Sequence, residues 1–141
     1  MTSAAASNAR VRGSPARSLG MIKLKRVYDP ATVEDGVRFL VERLWPRGVK
    51  KASLSLDAWL KDAAPSSELR RWFNHDPKKW EAFQRRYFSE LDRRPEAWEP
   101  ILVAARRGPV TLLYSSHDRD HNNALALLYY LEDIRLRSHG R

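Results

Sequence analysis

Three stretches of the chain carry apolar side chains in the short patterns that are typical of β-strands. Residues 22–27 alternate apolar and basic side chains and stop before Pro30, which predicts a first strand. Residues 109–114 are apolar throughout and predict a central parallel strand, because such a strand is buried on both faces. Residues 54–60 alternate with a period of two and predict a further strand.

The segment 37–45 fits two different structures. Apolar residues at positions 33, 37, 40, 41 and 44 would form one face of a helix that Pro46 stops, whereas residues 39–41 would form a short buried strand. Periodicity leaves both possibilities open. Gly36 favours the strand, because a glycine weakens the middle of a helix by about 1 kcal/mol.

The predicted helices begin and end at residues suited to capping. Serine, threonine and aspartate accept hydrogen bonds from the first turn, proline fits the first helical position, and glycine fits the end. A final helix is predicted over residues 124–136, after a polar loop in which Asp120 is the expected cap. The other cap and end residues are Thr32 with Asp35, Ser66, Asp76 with Pro77, Pro95 and Gly108.

This alternation of strands and helices predicts an α/β fold. We expect one three-layer domain with a small, mostly parallel sheet of about four strands flanked by helices, since parallel strands need crossover connections. The predicted organisation is a disordered extension over residues 1–20, rich in Ala, Ser, Arg and Gly, followed by a single domain over residues 21–141. A chain of 141 residues is long enough for such a core.

Composition narrows the possible chemistry. The chain contains no cysteine, which excludes disulfides, thiol nucleophiles and zinc–thiolate sites and favours a cytoplasmic location. The longest apolar run, residues 124–131, is too short to cross a bilayer, so no membrane partner is expected. The net charge is +9, of which residues 1–20 and residues 135–141 each supply +3. Such basic ends could make weak, non-specific contacts with nucleic acid.

Four polar loops are predicted to follow the strands at one edge of the sheet: residues 28–29, 43–47, 61–66 and 114–122. Open parallel sheets bind ligands at this edge. Arg43, Arg47 and Lys61 could clamp a phosphate or carboxylate there, and the helix that begins after Ser66 would add free N–H groups. The alternative is that Arg43 pairs with an acid of the protein itself, Asp29 or Asp118.

Several side chains in these loops could transfer protons. The candidates are Asp29, Glu42, His117, Asp118 and His121, since a carboxylate beside buried apolar residues gains a raised pKa. The spacing of His117 and His121 would suit a metal only on a helical turn, and the intervening Asp-Arg-Asp favours a loop. We therefore predict neither a metal nor a cofactor.

The chain carries an ordered series of motifs: Val27-Tyr28-Asp29-Pro30, Glu34-Asp35-Gly36, residues 40–48, Trp59-Leu60-Lys61, Ala64-Pro65-Ser66, Leu69-Arg70, Trp72-Phe73, Asn74-His75-Asp76-Pro77, residues 109–114 and His121-Asn122. This series resembles the YeaO-like proteins, the short branch of the bacterial domain-of-unknown-function family DUF 488. The resemblance covers residues 21–134, supports the strand interpretation of residues 39–44, and implies a cytoplasmic bacterial protein without supplying an established activity. Glu42 departs from the family pattern, where we expect aspartate, and residues 115–117 are also atypical.

The sequence thus leads to two main hypotheses. The first is a binding site for a phosphate- or nucleotide-like anionic small molecule at the carboxyl edge of the sheet, in a hydrolase or transferase. The second is a non-catalytic module that binds nucleic acid or a nucleotide through the same pocket; a purely structural protein is a third possibility. The predicted catalytic residues are Asp29 and Asp118, and the predicted binding residues are Tyr28, Arg43, Trp45, Arg47, Lys61, Ser66, Tyr114, His121 and Asn122.

Overall fold

The computed structural model describes residues 22–139; the predicted N-terminal extension lies outside them. The strands are β1 (Ile22–Arg26), β2 (Val37–Leu40), β3 (Ala58–Trp59) and β4 (Val110–Tyr114). The helices are α1 (Ser67–Phe73), α2 (Trp80–Asp92), α3 (Pro95–Arg107) and α4 (Asn123–His139). Short 3₁₀ turns lie at Val33–Asp35, Lys51–Ser53, Lys61–Ala63 and Pro77–Lys79.

The four strands form one parallel sheet in the order β1-β4-β2-β3. Strand β4 lies between β1 and β2, with Leu112 level with Leu24 on one side and Phe39 on the other. All five of its residues are buried. The predictions of an α/β fold and of a central parallel strand over residues 109–114 are confirmed.

The two faces of the sheet are covered differently. Phe39 and Leu112 point into the main core, to which α1, α2, α3 and α4 all contribute side chains. Leu40 and Leu113 point to the opposite face and pack with Leu54 and with aromatic side chains from the irregular segment 45–59. The third layer is therefore largely this segment, whose regular part is the 3₁₀ turn Lys51–Ser53.

The ambiguous segment 37–45 contains a strand and no helix: β2 covers Val37–Leu40, where the strand alternative predicted residues 39–41. Gly36 has a φ of +64°, and a Cβ added there would lie 2.1 Å from the carbonyl oxygen of Pro109, so glycine is required for the approach of β2 to β4. The strand ends at Leu40, although Val41 N still donates to Leu113 O at 3.1 Å. The next two carbonyls accept from side chains instead of a strand: that of Val41 from Asn123 Nδ2 at 2.6 Å, and that of Glu42 from the indole of Trp59 at 2.7 Å.

Most predicted helix ends are confirmed. The Ser66 hydroxyl accepts from Leu69 N at 3.1 Å, and Asp76 Oδ1 accepts from Lys78 N at 3.0 Å. The last helix is corrected: its cap is Asn122, whose Oδ1 accepts from Leu125 N at 2.8 Å, and Asp120 lies outside it. These side chains satisfy N–H groups that a helix leaves without partners in its first turn.

A charged cluster lies beside the amino-terminal end of β2. Asp35 is fully buried, and its carboxylate accepts from Lys25 Nζ at 2.9 Å, from Arg38 Nη1 at 2.5 Å and from Thr32 Oγ1 at 3.0 Å. Thr111 Oγ1 donates to the backbone carbonyl of the same aspartate at 2.8 Å. This cluster, the Asp35 network, is closed on itself and joins β1, β2 and β4.

Candidate functional site

A cavity of about 450 Å³ opens at the carboxyl ends of the two central strands, β2 and β4. We call it the sheet-edge cavity. Its walls come from the loops after these strands, the beginning of α4, and the carboxyl end of α1 with the adjacent part of α2. Open parallel sheets bind ligands at this place. The lining residues are Glu42, Arg43, Pro65, Arg70, Arg71, Phe73, Asn74, His75, Phe83, Ser115, Ser116, His121, Asn122 and Asn123.

The ionisable side chains around the sheet-edge cavity are mostly basic. Arg43, Arg70 and Arg71 carry permanent positive charges, and Glu42 is the one carboxylate among the described residues that line it. A cavity whose charged lining residues are mostly cationic favours an anionic occupant.

Arg43 is held by the protein itself. Its Nε donates to Pro65 O at 3.1 Å, its Nη2 donates to Ala64 O at 3.0 Å, and its Nη1 lies 3.4 Å from Asp62 Oδ1. Arg43 therefore pairs with an acid of the protein itself, as the alternative hypothesis predicted, but this acid is Asp62 and not Asp29 or Asp118. Arg43 braces the turn that leads into α1 while also lining the cavity.

Arg70 and Arg71 differ from Arg43 in exposure, because the side chains of both are exposed to solvent. Within residues 22–139, neither guanidinium donates a hydrogen bond to the protein. They lie in the last turn of α1, and the chain then passes through Asn74 and His75 with φ angles of 45° and 57°. Asparagine and histidine are enriched in this left-handed conformation. Asn74 and His75 also line the cavity.

Glu42 joins the ends of the two central strands across the cavity. Its Oε2 accepts from Ser115 N at 3.0 Å. Burial raises the pKa of Glu42 to about 7, although the Ser115 N–H bond and the nearby charge of Arg70 oppose the shift. Near neutral pH this carboxyl group is therefore present in both its charged and its neutral form, which is suitable for accepting or donating a proton.

The two predicted catalytic carboxylates lie outside the cavity lining and hold turns. Asp29 Oδ2 accepts from Arg26 N at 3.1 Å, and Asp29 Oδ1 lies 3.5 Å from Arg119. Asp118 accepts from the backbone N–H groups of Asp120 at 2.9 Å and His121 at 3.1 Å. The pKa of Asp118 is lowered, mainly by the bond from Asp120, with a further contribution from His121.

Three predicted binding residues line the cavity: Arg43, His121 and Asn122. The Nδ1 of His121 lies 2.9 Å from Asp118 Oδ2, and its ring meets the edge of Trp80 with centroids 5.4 Å apart. Asn122 is buried and also donates from Nδ2 to Asp118 O at 3.0 Å. Asp118 therefore acts on the cavity indirectly, by positioning these two residues.

Tyr28, Arg47 and Trp45 lie away from the cavity lining. The hydroxyl of Tyr28 donates to Arg47 O at 3.1 Å, and both residues are exposed. The indole of Trp45 donates to Val49 O at 2.6 Å and packs edge-on against Trp59, on the face of the sheet opposite the helices. Trp45, a predicted binding residue, therefore packs on the far face of the sheet and does not line the cavity.

Lys61, Ser66 and Tyr114 are also engaged elsewhere. The Lys61 ammonium lies 4.3 Å from the ring centroid of Trp59. The Ser66 hydroxyl donates to Glu90 Oε2 at 2.6 Å, so a carboxylate already occupies the start of α1 where an anion was predicted. Tyr114 is buried in the core, and burial raises its pKa.

The sequence did not single out Arg70, Arg71 or His75 as binding residues. Their place depends on how the end of α1 packs beside the loops after β2 and β4, which no local pattern encodes. Glu42 was among the proton-transfer candidates, and its place in the cavity lining distinguishes it from Asp29 and Asp118. Within residues 22–139, no group of three or more His, Asp or Glu side chains is arranged to hold a metal ion. In the same part of the chain, no helix combines the length and apolarity needed to span a membrane.

Comparisons with known proteins test the resemblance to YeaO-like proteins that the sequence motifs indicate. A family model described as the inactive DUF488-N3 subclade matches residues 21–140. The Escherichia coli K12 protein named "Uncharacterized protein YeaO" is 42% identical over 113 residues, which are 80% of this chain and 98% of that protein. The "Uncharacterized protein Rv3073c" of Mycobacterium tuberculosis H37Rv is 43% identical over 70 residues, 50% of this chain and 59% of that protein. No solved structure matches. The resemblance to YeaO-like proteins is confirmed.

Proposed function

The chain belongs to the family described as the inactive DUF488-N3 subclade, and we propose that it binds a small phosphate- or nucleotide-like anion in the sheet-edge cavity without converting it. The proposed setting is the cytoplasm. The observation that carries the proposal is the pair Arg70 and Arg71, two arginines that line the cavity and whose guanidinium groups donate no hydrogen bond to another described residue. A phosphate group suits such donors, because guanidinium N–H groups match its oxygens in pairs.

Binding without turnover is favoured over catalysis by two considerations. The family description itself contains the word inactive. In addition, Asp29 and Asp118 are both committed to backbone N–H groups, so they hold turns. These contacts leave the predicted hydrolase or transferase without the carboxylates that were assigned to it.

A hydrolase or transferase remains a second candidate because of Glu42. Its carboxyl group lines the cavity, and its pKa of about 7 is suited to general acid–base chemistry at neutral pH. In that case Glu42, and neither Asp29 nor Asp118, would move the proton. Incubation of the protein with each bound phosphate compound, followed by product analysis, separates the two candidates.

The test of the binding proposal is calorimetric titration of the full chain with phosphate, pyrophosphate and nucleoside monophosphates. The double variant Arg70→Ala/Arg71→Ala is expected to bind at least about tenfold more weakly, because each lost charge-assisted contact costs about 1.5–3 kcal/mol. The matched control is Arg85→Ala, which removes an exposed arginine of α2 that does not line the cavity. Equal affinities for the double variant and the control would refute the proposal.

A further inference from the structure

We propose that Glu42 selects, within this anion site, ligands that carry a hydroxyl group beside their phosphate, so that the natural ligand is a phosphorylated polyol or sugar. This inference rests on the proposed function and specifies its ligand class. The sheet-edge cavity is lined both by the cationic residues Arg70 and Arg71 and by Glu42, its carboxylate among the described residues.

The first step concerns the remaining hydrogen-bonding capacity of the carboxyl group. Glu42 Oε2 accepts from Ser115 N at 3.0 Å, the side chain of Ser115 also hydrogen-bonds to the carboxylate, and no other described residue does. A carboxylate offers about four lone-pair sites, so these two bonds leave acceptor capacity. Glu42 is one of the residues that line the cavity, so an occupant can use that capacity.

The second step concerns which polar group fits. The phosphate itself would be repelled by ionised Glu42, so its place is beside the arginines. A hydroxyl group can donate to ionised Glu42 and can accept from neutral Glu42, and both forms are present near neutral pH. An ammonium group would serve only the ionised form, and Arg43, Arg70 and Arg71 would repel it.

The third step concerns size. A water molecule occupies about 30 Å³ in the liquid, and a phosphate ion would leave most of the 450 Å³ empty or wet. Phe73 and Phe83 also line the cavity, and their apolar surface suits the carbon skeleton of a larger ligand. A carbon chain that bears both a phosphate and hydroxyl groups meets all three requirements.

The experiment compares three phosphates with the same carbon count: propyl phosphate, glycerol 3-phosphate and 3-aminopropyl phosphate. Each is titrated calorimetrically into the full-length wild type, Glu42→Ala and Glu42→Gln. The wild type is expected to bind glycerol 3-phosphate about tenfold more tightly than propyl phosphate, as one hydrogen bond to a charged group allows, and to gain nothing from the amine. Glu42→Ala should bring this ratio close to one while binding propyl phosphate at least as well as the wild type.

Glu42→Gln keeps an acceptor for Ser115 N and a polar group for the hydroxyl, so it should retain part of the preference. This variant also guards against a mere folding defect in the alanine variant, and thermal unfolding of both establishes that they are folded. Equal wild-type affinities for the three compounds, a stronger preference for the amine, or an unchanged ratio in Glu42→Ala would each overturn the inference. These outcomes differ from failure of the proposed function, in which none of the three phosphates binds and the inference falls with it.

Discussion

Strand β2 is flanked by two carboxylates in opposite circumstances, Asp35 before it and Glu42 after it. Asp35 is fully buried, and although burial opposes ionisation, hydrogen bonds from Lys25, Thr32 and Arg38 hold its pKa below the usual range. Burial raises the pKa of Glu42 to about 7, against hydrogen bonds that come from Ser115 alone among the described residues. A carboxylate is paired with two cationic side chains at one end of the strand, whereas the carboxylate at the other end forms no ion pair with another described residue.

The difference separates charge that is neutralised inside the fold from charge that remains available to a ligand. The Asp35 network satisfies its own members and leaves nothing for a ligand to complete. At the sheet-edge cavity, Arg70 and Arg71 make no hydrogen bond from their guanidinium groups to another described residue, and the carboxylate of Glu42 is hydrogen-bonded by Ser115 alone among those residues. Perturbed ionisable groups in a cavity are characteristic of functional sites, whereas closed networks are characteristic of structure.

Loss of Asp35 is expected to have the largest effect on stability. Asp35→Ala leaves Lys25 and the buried Arg38 without their carboxylate, which costs about 3–5 kcal/mol because an unpaired buried charge remains. Urea unfolding measures the loss. The ligand affinity of the molecules that stay folded should be unchanged, since the network lies outside the cavity lining.

The matched control for this prediction is Asp133→Ala. Asp133 pairs with Arg137 on the exposed surface of α4, and exposed pairs contribute about 1 kcal/mol or less. If Asp35→Ala were no more destabilising than this control, the Asp35 network would not stabilise the packing of β1, β2 and β4 as we infer.

The next largest effect concerns the pH dependence caused by Glu42. Its pKa is raised from 4.5 to about 7 on folding, so the folded state holds the proton more tightly than the unfolded state. Its contribution to stability is fully present below about pH 4.5 and is lost as the pH rises through 7, a difference of at most about 3 kcal/mol. Glu42→Gln cannot ionise and should remove this dependence.

Glu42→Gln should therefore match the wild type near pH 5 and exceed it in stability at pH 8. Guanidinium unfolding at the two pH values checks this, because the difference between the variants cancels the titration of all other groups. A variant less stable than the wild type at pH 8 would mean that ionised Glu42 is stabilised in the folded protein, contrary to the comparison drawn here.

Local chemistry explains which parts of the fold were predictable. Gly36 and Pro46 bracket β2, Ser66 and Asp76 cap helices through neighbours within three residues, and the apolar run of β4 predicts its central place. Each of these features depends on a few consecutive residues. The covering of the second sheet face by segment 45–59 was not predictable in this way, since it follows from the packing of Leu54 against the distant Leu40 and Leu113.

The candidate site was predicted in its location and in part of its lining, Arg43, His121 and Asn122. The carboxyl edge of the sheet was expected from topology, but the hydrogen bond to Glu42 comes from Ser115, which is 73 residues away. Asp29 and Asp118 attracted attention as polar residues after strands, yet such loop aspartates readily bond nearby backbone N–H groups. Whether a loop carboxylate closes on its own turn or points into a cavity is decided by tertiary structure.

Arg43 and Arg71 provide a second comparison between a charge held by the fold and an exposed charge, with smaller expected effects on stability. Arg43→Ala removes the donors that satisfy the carbonyls of Ala64 and Pro65, and it should cost about 1–3 kcal/mol in unfolding free energy. Chemical denaturation measures this loss. Arg43→Lys, which keeps the charge but not the planar set of donors, should recover only part of it. Full recovery by lysine would show that charge alone matters at this position.

The smallest effect on stability is expected for Arg71→Ala. The guanidinium of Arg71 donates no hydrogen bond to another described residue, so its removal should change the unfolding free energy by less than about 0.5 kcal/mol. Its effect should appear in binding instead: phosphate affinity falls, and the dependence of that affinity on salt becomes weaker, because one cation fewer faces the anion. Calorimetric titrations at low and high salt measure both quantities. A stability loss as large as that of Arg43→Ala, with unchanged phosphate affinity, would place Arg71 with the structural charges and remove the distinction between the two ends of β2.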